Sequence, residues 1–200
     1  ILSDTNRPDV WLAEQAMIDA ARADPQVGER LFYRQRARNL RRKAGNIADW
    51  VERWGAAYPS MLVLDADSLM EADTVIELAR RMEADDALGI LQTSPNLIGG
   101  ETPLARVQQF ASRVYGRVLT RGLRAWFGDA GNYWGHNAII RTKAFADCGG
   151  LPELPGKPPF GGHIMSHDFV EAALLRRAGW SVTMLPGLVG SYEESPPSLI

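Results

Sequence analysis

The chain has 200 residues, of which 46% are hydrophobic, and its 22 lysines and arginines against 24 aspartates and glutamates leave a formal charge of −2. This is the composition of an ordinary globular chain with enough apolar content for a buried core, and its near-neutral charge speaks against a nucleic-acid surface. The single cysteine, Cys148, excludes an internal disulfide and fits a reducing compartment. No run approaches the roughly 18 to 20 apolar residues needed to cross a bilayer, and no signal peptide opens the chain.

In chain order, Ile1–Ser3 reads as the last half of a strand. Pro8 suits a helix first turn, and Trp11, Gln15 and Ile18 continue helical spacing to about Ala23. From Arg30 to Lys43 the chain carries seven basic residues and no acid. Two readings of that block stand: a solvated charged face, or a stretch that gives one or two cations to a phosphate ligand. A strand is predicted at Leu31–Arg34 within it. The block closes on Lys43-Ala44-Gly45-Asn46, which opens a second helix carrying Ile47, Trp50, Val51 and Trp54. Gly45 would let backbone approach a ligand, and Lys43 near a helix start either faces a diphosphate or simply faces solvent.

The run Met61-Leu62-Val63-Leu64-Asp65-Ala66-Asp67 is an apolar strand ending in two carboxylates one residue apart. In an extended segment such residues point to the same side and can share a hard cation such as Mg²⁺ or Mn²⁺ together with a diphosphate. An acidic turn is the plain alternative. Asp73 or the acid before it can cap a third helix, so the carboxylates fall at the carboxyl end of a strand, where open α/β sheets bind ligands. A strand at Gly89–Thr93 and a long helix from Pro103 to about Leu123 follow.

Residues 131–141, Gly-Asn-Tyr-Trp-Gly-His-Asn-Ala-Ile-Ile-Arg, lead from aromatic and polar residues into a strand predicted at Trp134–Arg141. That composition suits either a sugar-binding wall or a strand entry with core aromatics. Residues 151–162, rich in proline and glycine, form a loop. Next come His163, His167, Asp168 and Glu171 at a helix start. Asp168 either favours the helix dipole or removes a proton from an attacking hydroxyl. A structural zinc site at His163 and His167 lacks a third ligand at sensible spacing. A last strand is predicted at Trp180–Leu185. Alternating helices and strands make this a layered α/β fold.

Together, these strings resemble the family 2 glycosyltransferases, and within them the bacterial group that makes the backbone of osmoregulated periplasmic glucans. The carriers are Ile1-Leu2-Ser3-Asp4-Thr5, Arg42-Lys43-Ala44-Gly45-Asn46, Val63-Leu64-Asp65-Ala66-Asp67-Ser68, Gly131 to Asn137, Pro158 to His163, Ser166-His167-Asp168-Phe169-Val170-Glu171 and Ser191 to Pro197. The resemblance implies an A-type glycosyltransferase fold, with a mixed, mostly parallel, Rossmann-like central sheet flanked by helices and binding a nucleotide-sugar. It implies one catalytic domain over residues 1–200, excised from a larger protein. UDP-glucose would be the donor, with Mg²⁺ or Mn²⁺, and glucose would pass with inversion onto a growing β-1,2-linked glucan. Asp4 would sit by the uracil and ribose, Lys43 would bind the nucleotide, Asp65 the nucleotide-sugar, and Asp67 with Asp65 the metal. Asp168 would be the general base. His167 stands where the cellulose synthases have a glutamate, and with Tyr133, Trp134, His136 and Asn137 it would face the acceptor. The parent would be a multi-pass protein working at the cytoplasmic face of the bacterial inner membrane, and some members are thought to need acyl carrier protein. The family's first strand, its Q-x-x-R-W motif and its membrane helices are missing from these 200 residues, so little transferase activity is expected of them alone. A cellulose-, chitin- or hyaluronan-type synthase and a noncatalytic nucleotide-sugar-binding module are the competing readings.

Overall fold

The computed structural model describes residues 1–152, 154–157, 161–162, 164, 166–196 and 198. The expected strings at 158–163 and 191–197 therefore fall partly outside the described residues, His163 among them. The chain divides into two compact units, Ile1–Arg53 and Trp54–Ile200.

In the first unit, β1 (Leu2–Ser3) pairs in parallel with β2 (Arg34–Gln35), Leu2 opposite Arg34 and Ser3 opposite Gln35. The strand predicted at Leu31–Arg34 is therefore shifted: β2 shares only Arg34 with it and ends at Gln35. Helix α1 (Pro8–Arg22) starts on proline, carries Asp9 in its first turn and Arg22 in its last, and buries Ile18. Both charges complement the helix dipole. Helix α2 (Arg42–Trp54) buries Ala44, Gly45, Asn46, Ile47 and Val51. The side chain of Asn46 ties this helix to the strands by donating to Leu2 O at 3.2 Å and accepting from Arg34.

The second unit runs β3 (Ser60–Val63), β4 (Ser68–Met70), α3 (Ala72–Ala84), β5 (Leu88–Thr93), β6 (Asn96–Ile98), α4 (Pro103–Phe127), β7 (Ala138–Arg141), α5 (Thr142–Cys148), α6 (His167–Arg177), β8 (Ser181–Leu185) and β9 (Ser191–Glu194). One sheet has the order β3-β7-β5-β8 and a smaller one the order β4-β9-β6. In the larger sheet β3, β5 and β8 run one way and β7 the other, since β7 is antiparallel to both its neighbours while β5 and β8 are parallel. The mixed, mostly parallel sheet expected from the resemblance is thus present, with β3 at its edge within this unit.

Every residue of β5 is buried, as befits a strand covered on both faces. Against it pack Leu78 and Met82 of α3 together with Ile139 of β7, joined at the margin by Leu62, Met70 and Leu185. Helix α4 is capped by Thr102, whose hydroxyl accepts from Ala105 N–H at 3.2 Å, and ends at Gly128, where φ is 56°. It continues through Gly116 and Gly122 and extends one turn past the expected Leu123 before Gly128 stops it. The Trp134–Arg141 strand begins only at Ala138, because Gly135 and Asn137 adopt positive φ of 92° and 49° that no strand accommodates.

Candidate functional site

The register of β7 assembles one end of the second unit. Ala138, its first residue, lies opposite Val63 on one side and Gln92 on the other. Because β7 runs against β3 and β5, the loop that precedes it meets the segments that follow them. The turn after β3, the end of β5 and residues 131–137 therefore share one end of the sheet.

β3 stops at Val63, and a turn closes over Asp65 to Ser68: the Ser68 N–H donates to Asp65 O at 3.1 Å, and the Ser68 hydroxyl accepts from Asp65 N–H at 3.3 Å. The same-side alternation of an extended strand consequently does not govern Asp65 and Asp67. The turn leaves Asp65 half-buried and Asp67 exposed. Its backbone is pinned by β9, whose Glu194 N–H donates to Asp67 O at 3.2 Å.

The loop ahead of β7 is held by backbone and buried amides. Gly131 N–H donates to Val182 O at 2.7 Å, and Trp134 N–H donates to Oε1 of the wholly buried Gln92 at 2.6 Å. Asn137 is itself wholly buried. Its carbonyl accepts from Thr93 N–H and the Thr93 hydroxyl, each at 3.0 Å, while its amide donates to Ser191 Oγ at 2.8 Å. Asparagine tolerates the left-handed backbone found here better than most residues. The half-buried His136 ring lies 3.1 Å from Asn137 Oδ1 and 3.8 Å from Glu193 Oε1.

The expected sugar-facing wall is therefore narrower than its composition suggested. Tyr133 and Asn137 are interior residues, while Trp134, His136 and His167 keep partial exposure.

Asp168 lies in the first turn of α6, with Ser166 in the cap position ahead of it. Asp168 is thus placed to favour the helix dipole, and its half-buried carboxylate makes no hydrogen bond or ion pair among the described residues. Gly135 packs against it: a Cβ there would stand 3.4 Å from Asp168 Oδ2. One turn further along α6, Glu171 is 1% exposed, and its Oε1 lies 3.3 Å from His167 Nδ1. Sequence reasoning assigned Glu171 no role; its i,i+4 spacing from His167 was the available signal.

A buried phenol links these groups. Tyr133 is fully enclosed, and its hydroxyl finds no hydrogen-bond partner among the described residues. Burial pushes its pKa well above the ordinary 10.0, and the negative charges of Glu171, Asp65 and Asp168 push it further the same way. Carboxylates from the β3–β4 turn and from the first two turns of α6 thus act on one interior point.

In the first unit, both Asp4 oxygens are engaged by Arg36, Nε to Oδ1 at 2.7 Å and Nη2 to Oδ2 at 2.6 Å, with the side chains 15% and 13% exposed. Lys43 is half-buried in the first turn of α2. A Cβ at Gly45 would fall 2.1 Å from Leu40 O and 2.7 Å from Arg41 Cβ. The glycine is required by the chain's own tight turn, where Arg41 and Arg42 have φ of 58° and 48°, and not by the approach of a ligand.

Among the described residues, no group of three or more His, Cys, Asp or Glu is arranged to hold a metal. Two carboxylates on one turn instead fit an ion such as Mg²⁺ that completes its shell with waters and substrate phosphates. No helix among the described residues is long and apolar enough to cross a membrane.

A family model described as glycosyl transferase family group 2 matches residues 61–199, and the chain belongs to that family. Over all 200 residues it is 58% identical to glucans biosynthesis glucosyltransferase H of Shewanella baltica strain OS155 and 57% identical to the protein of the same name from Shewanella oneidensis. It spans 28% of the length of each of these relatives. The A-type glycosyltransferase fold inferred from sequence agrees with the family and with helices flanking a mixed sheet.

Proposed function

We propose that this chain is catalytic machinery of an inverting glucosyltransferase that moves glucose from UDP-glucose onto a growing β-1,2-linked glucan, both units belonging to one catalytic domain. The single observation that supports it most is the meeting, at one end of the sheet, of the Asp65–Ser68 turn with the loop whose Gly135 packs on Asp168, a carboxylate uncommitted to any partner among the described residues.

In this reading Asp168 accepts the proton of the attacking acceptor hydroxyl. That oxygen bonds to the anomeric carbon as the bond from that carbon to the UDP oxygen breaks, and a single displacement inverts the centre. Asp65 contacts the nucleotide-sugar, Asp4 the uracil and ribose, and Lys43 the nucleotide. Asp67 and Asp65 would hold Mg²⁺ or Mn²⁺, which when bound neutralises charge gathering on the departing diphosphate. Trp134, His136 and His167 face the acceptor, the buried Glu171 orients His167 through its Nδ1 side, and Tyr133 and Asn137 keep the loop in place from within. Gly135 leaves space beside the Asp168 carboxylate. The parent protein would work at the cytoplasmic face of the bacterial inner membrane, with acyl carrier protein as a further partner.

The test uses the full-length parent in membranes supplied with UDP-glucose. Asp168→Asn keeps the side chain's shape and removes its basicity. We expect glucan synthesis to fall about 10³-fold or more, within the range for losing a positioned base, while UDP affinity stays unchanged. Wild-type turnover in this variant would refute the assignment.

A further inference from the structure

Helix α4 turns an apolar face outward. Val107, Phe110, Val114, Val118, Leu119 and Trp126 are all exposed large hydrophobics, Val118 at 72% and Trp126 at 84%, whereas the helix buries only Ala105 and Thr120. Spacings of three and four residues align Val107, Phe110, Val114 and Val118 along one side of the helix, and Leu119 with Trp126, roughly 100° further round, widen the apolar surface on one flank. A surface helix ordinarily presents polar groups there, and an apolar patch of this extent marks a site of interaction.

The charges on α4 are of one sign. From Pro103 to Phe127 it carries Arg106, Arg113, Arg117, Arg121 and Arg124 and no acidic residue. At 3.6 residues per turn Arg106, Arg113, Arg117 and Arg124 line one edge of the apolar stripe and Arg121 falls just inside it. Arg124 is the one in an ion pair among the described residues, with Asp129 Oδ1 at 3.2 Å.

This pairing of features selects among occupants. A second copy would bring arginine rows against one another, and a nucleic acid would answer the arginines while leaving the valines in water. The helix is too rich in charge to span a bilayer. An anionic lipid surface satisfies both features, since the apolar stripe enters the boundary between headgroups and acyl chains while the arginines meet lipid phosphates.

We propose that α4 is a lipid-contact helix that seats the second unit on an anionic membrane surface. This inference stands apart from the transferase reading and does not need it.

Vesicle pelleting of the 200-residue chain tests it, with equimolar phosphatidylglycerol and phosphatidylcholine compared with phosphatidylcholine alone. Binding is expected to the anionic vesicles and should weaken as salt rises. Replacing Arg113, Arg117 and Arg121 together with glutamine should lower the partition coefficient roughly a hundredfold. Val118→Ser with Phe110→Ser should lower it about tenfold or more. All five positions are exposed, so thermal melts of these variants should match wild type and separate lost binding from lost folding. Brominated lipid should quench tryptophan emission in wild type and less in Trp126→Phe. Absence of binding to anionic vesicles, equal binding to both vesicle types, or undiminished binding by the arginine variant would overturn the proposal. A dimer in sedimentation that the Phe110 and Val118 substitutions dissolve would assign the face to a second copy instead.

Discussion

The candidate acids of the two units stand in opposite surroundings. In the first, Asp4 is locked onto Arg36, Asp49 meets Arg34 at 2.8 Å, and Glu14 accepts from the Ser3 hydroxyl at 2.6 Å and the Tyr33 hydroxyl at 2.9 Å. In the second, Asp67 and Asp168 have no side-chain partner among the described residues. An acid paired with a guanidinium ties chain segments together and meets a ligand only with the lone pairs that remain, whereas one left open at the end of a sheet is wholly available to a ligand or a proton. Residue type alone does not separate the two cases; the partners do.

That contrast can be broken by substitution. The largest stability effect is expected at Asp4→Ala, which strands the sparsely exposed Arg36: a loss of about 3 kcal/mol in chemical denaturation. A variant as stable as wild type would place Asp4 with the open acids.

A smaller effect, confined to alkaline solution, is expected at Tyr133→Phe. The folded phenol is held protonated above its ordinary 10.0, whereas the unfolded chain ionises there. Its contribution is therefore fully present below pH 10.0 and is lost as pH rises beyond it, at up to about 1.4 kcal/mol per pH unit. The phenylalanine variant should lose less stability than wild type between neutral pH and the alkaline range, and parallel pH–stability curves would show that the phenol is not held neutral.

The smallest stability change is expected at Asp67→Ala, within about 0.5 kcal/mol because the side chain is exposed and has no partner among the described residues. Calorimetry should nonetheless show UDP binding that Mg²⁺ or Mn²⁺ no longer strengthens. A titration that keeps its metal dependence would remove Asp67 from the metal site.

Long periodic elements were legible in the sequence. α1 ends one residue before the expected Ala23, α2 begins one before Lys43, and β5 and β8 lie within a residue of their predicted bounds. The β4-β9-β6 sheet was not foreseen, because strands of three and four residues are too short for alternation to register. The chemistry was legible as residue types, with Asp65, Asp67 and Asp168 reading as acids in unusual positions. Their surroundings were not. Nothing in Gly-Asn-Tyr-Trp-Gly-His-Asn says that the tyrosine points inward and the tryptophan only partly so, because the positive-φ residues Gly135 and Asn137 break the alternation that would have told them apart.

The reversed direction of β7 has a kinetic corollary. The corner where Asp65, Gly135 and Asp168 gather draws on chain segments separated by tens of residues, so closing it requires non-local pairing that local helix formation cannot supply. We expect that corner to form late in folding, so that substitutions there speed unfolding more than they slow folding.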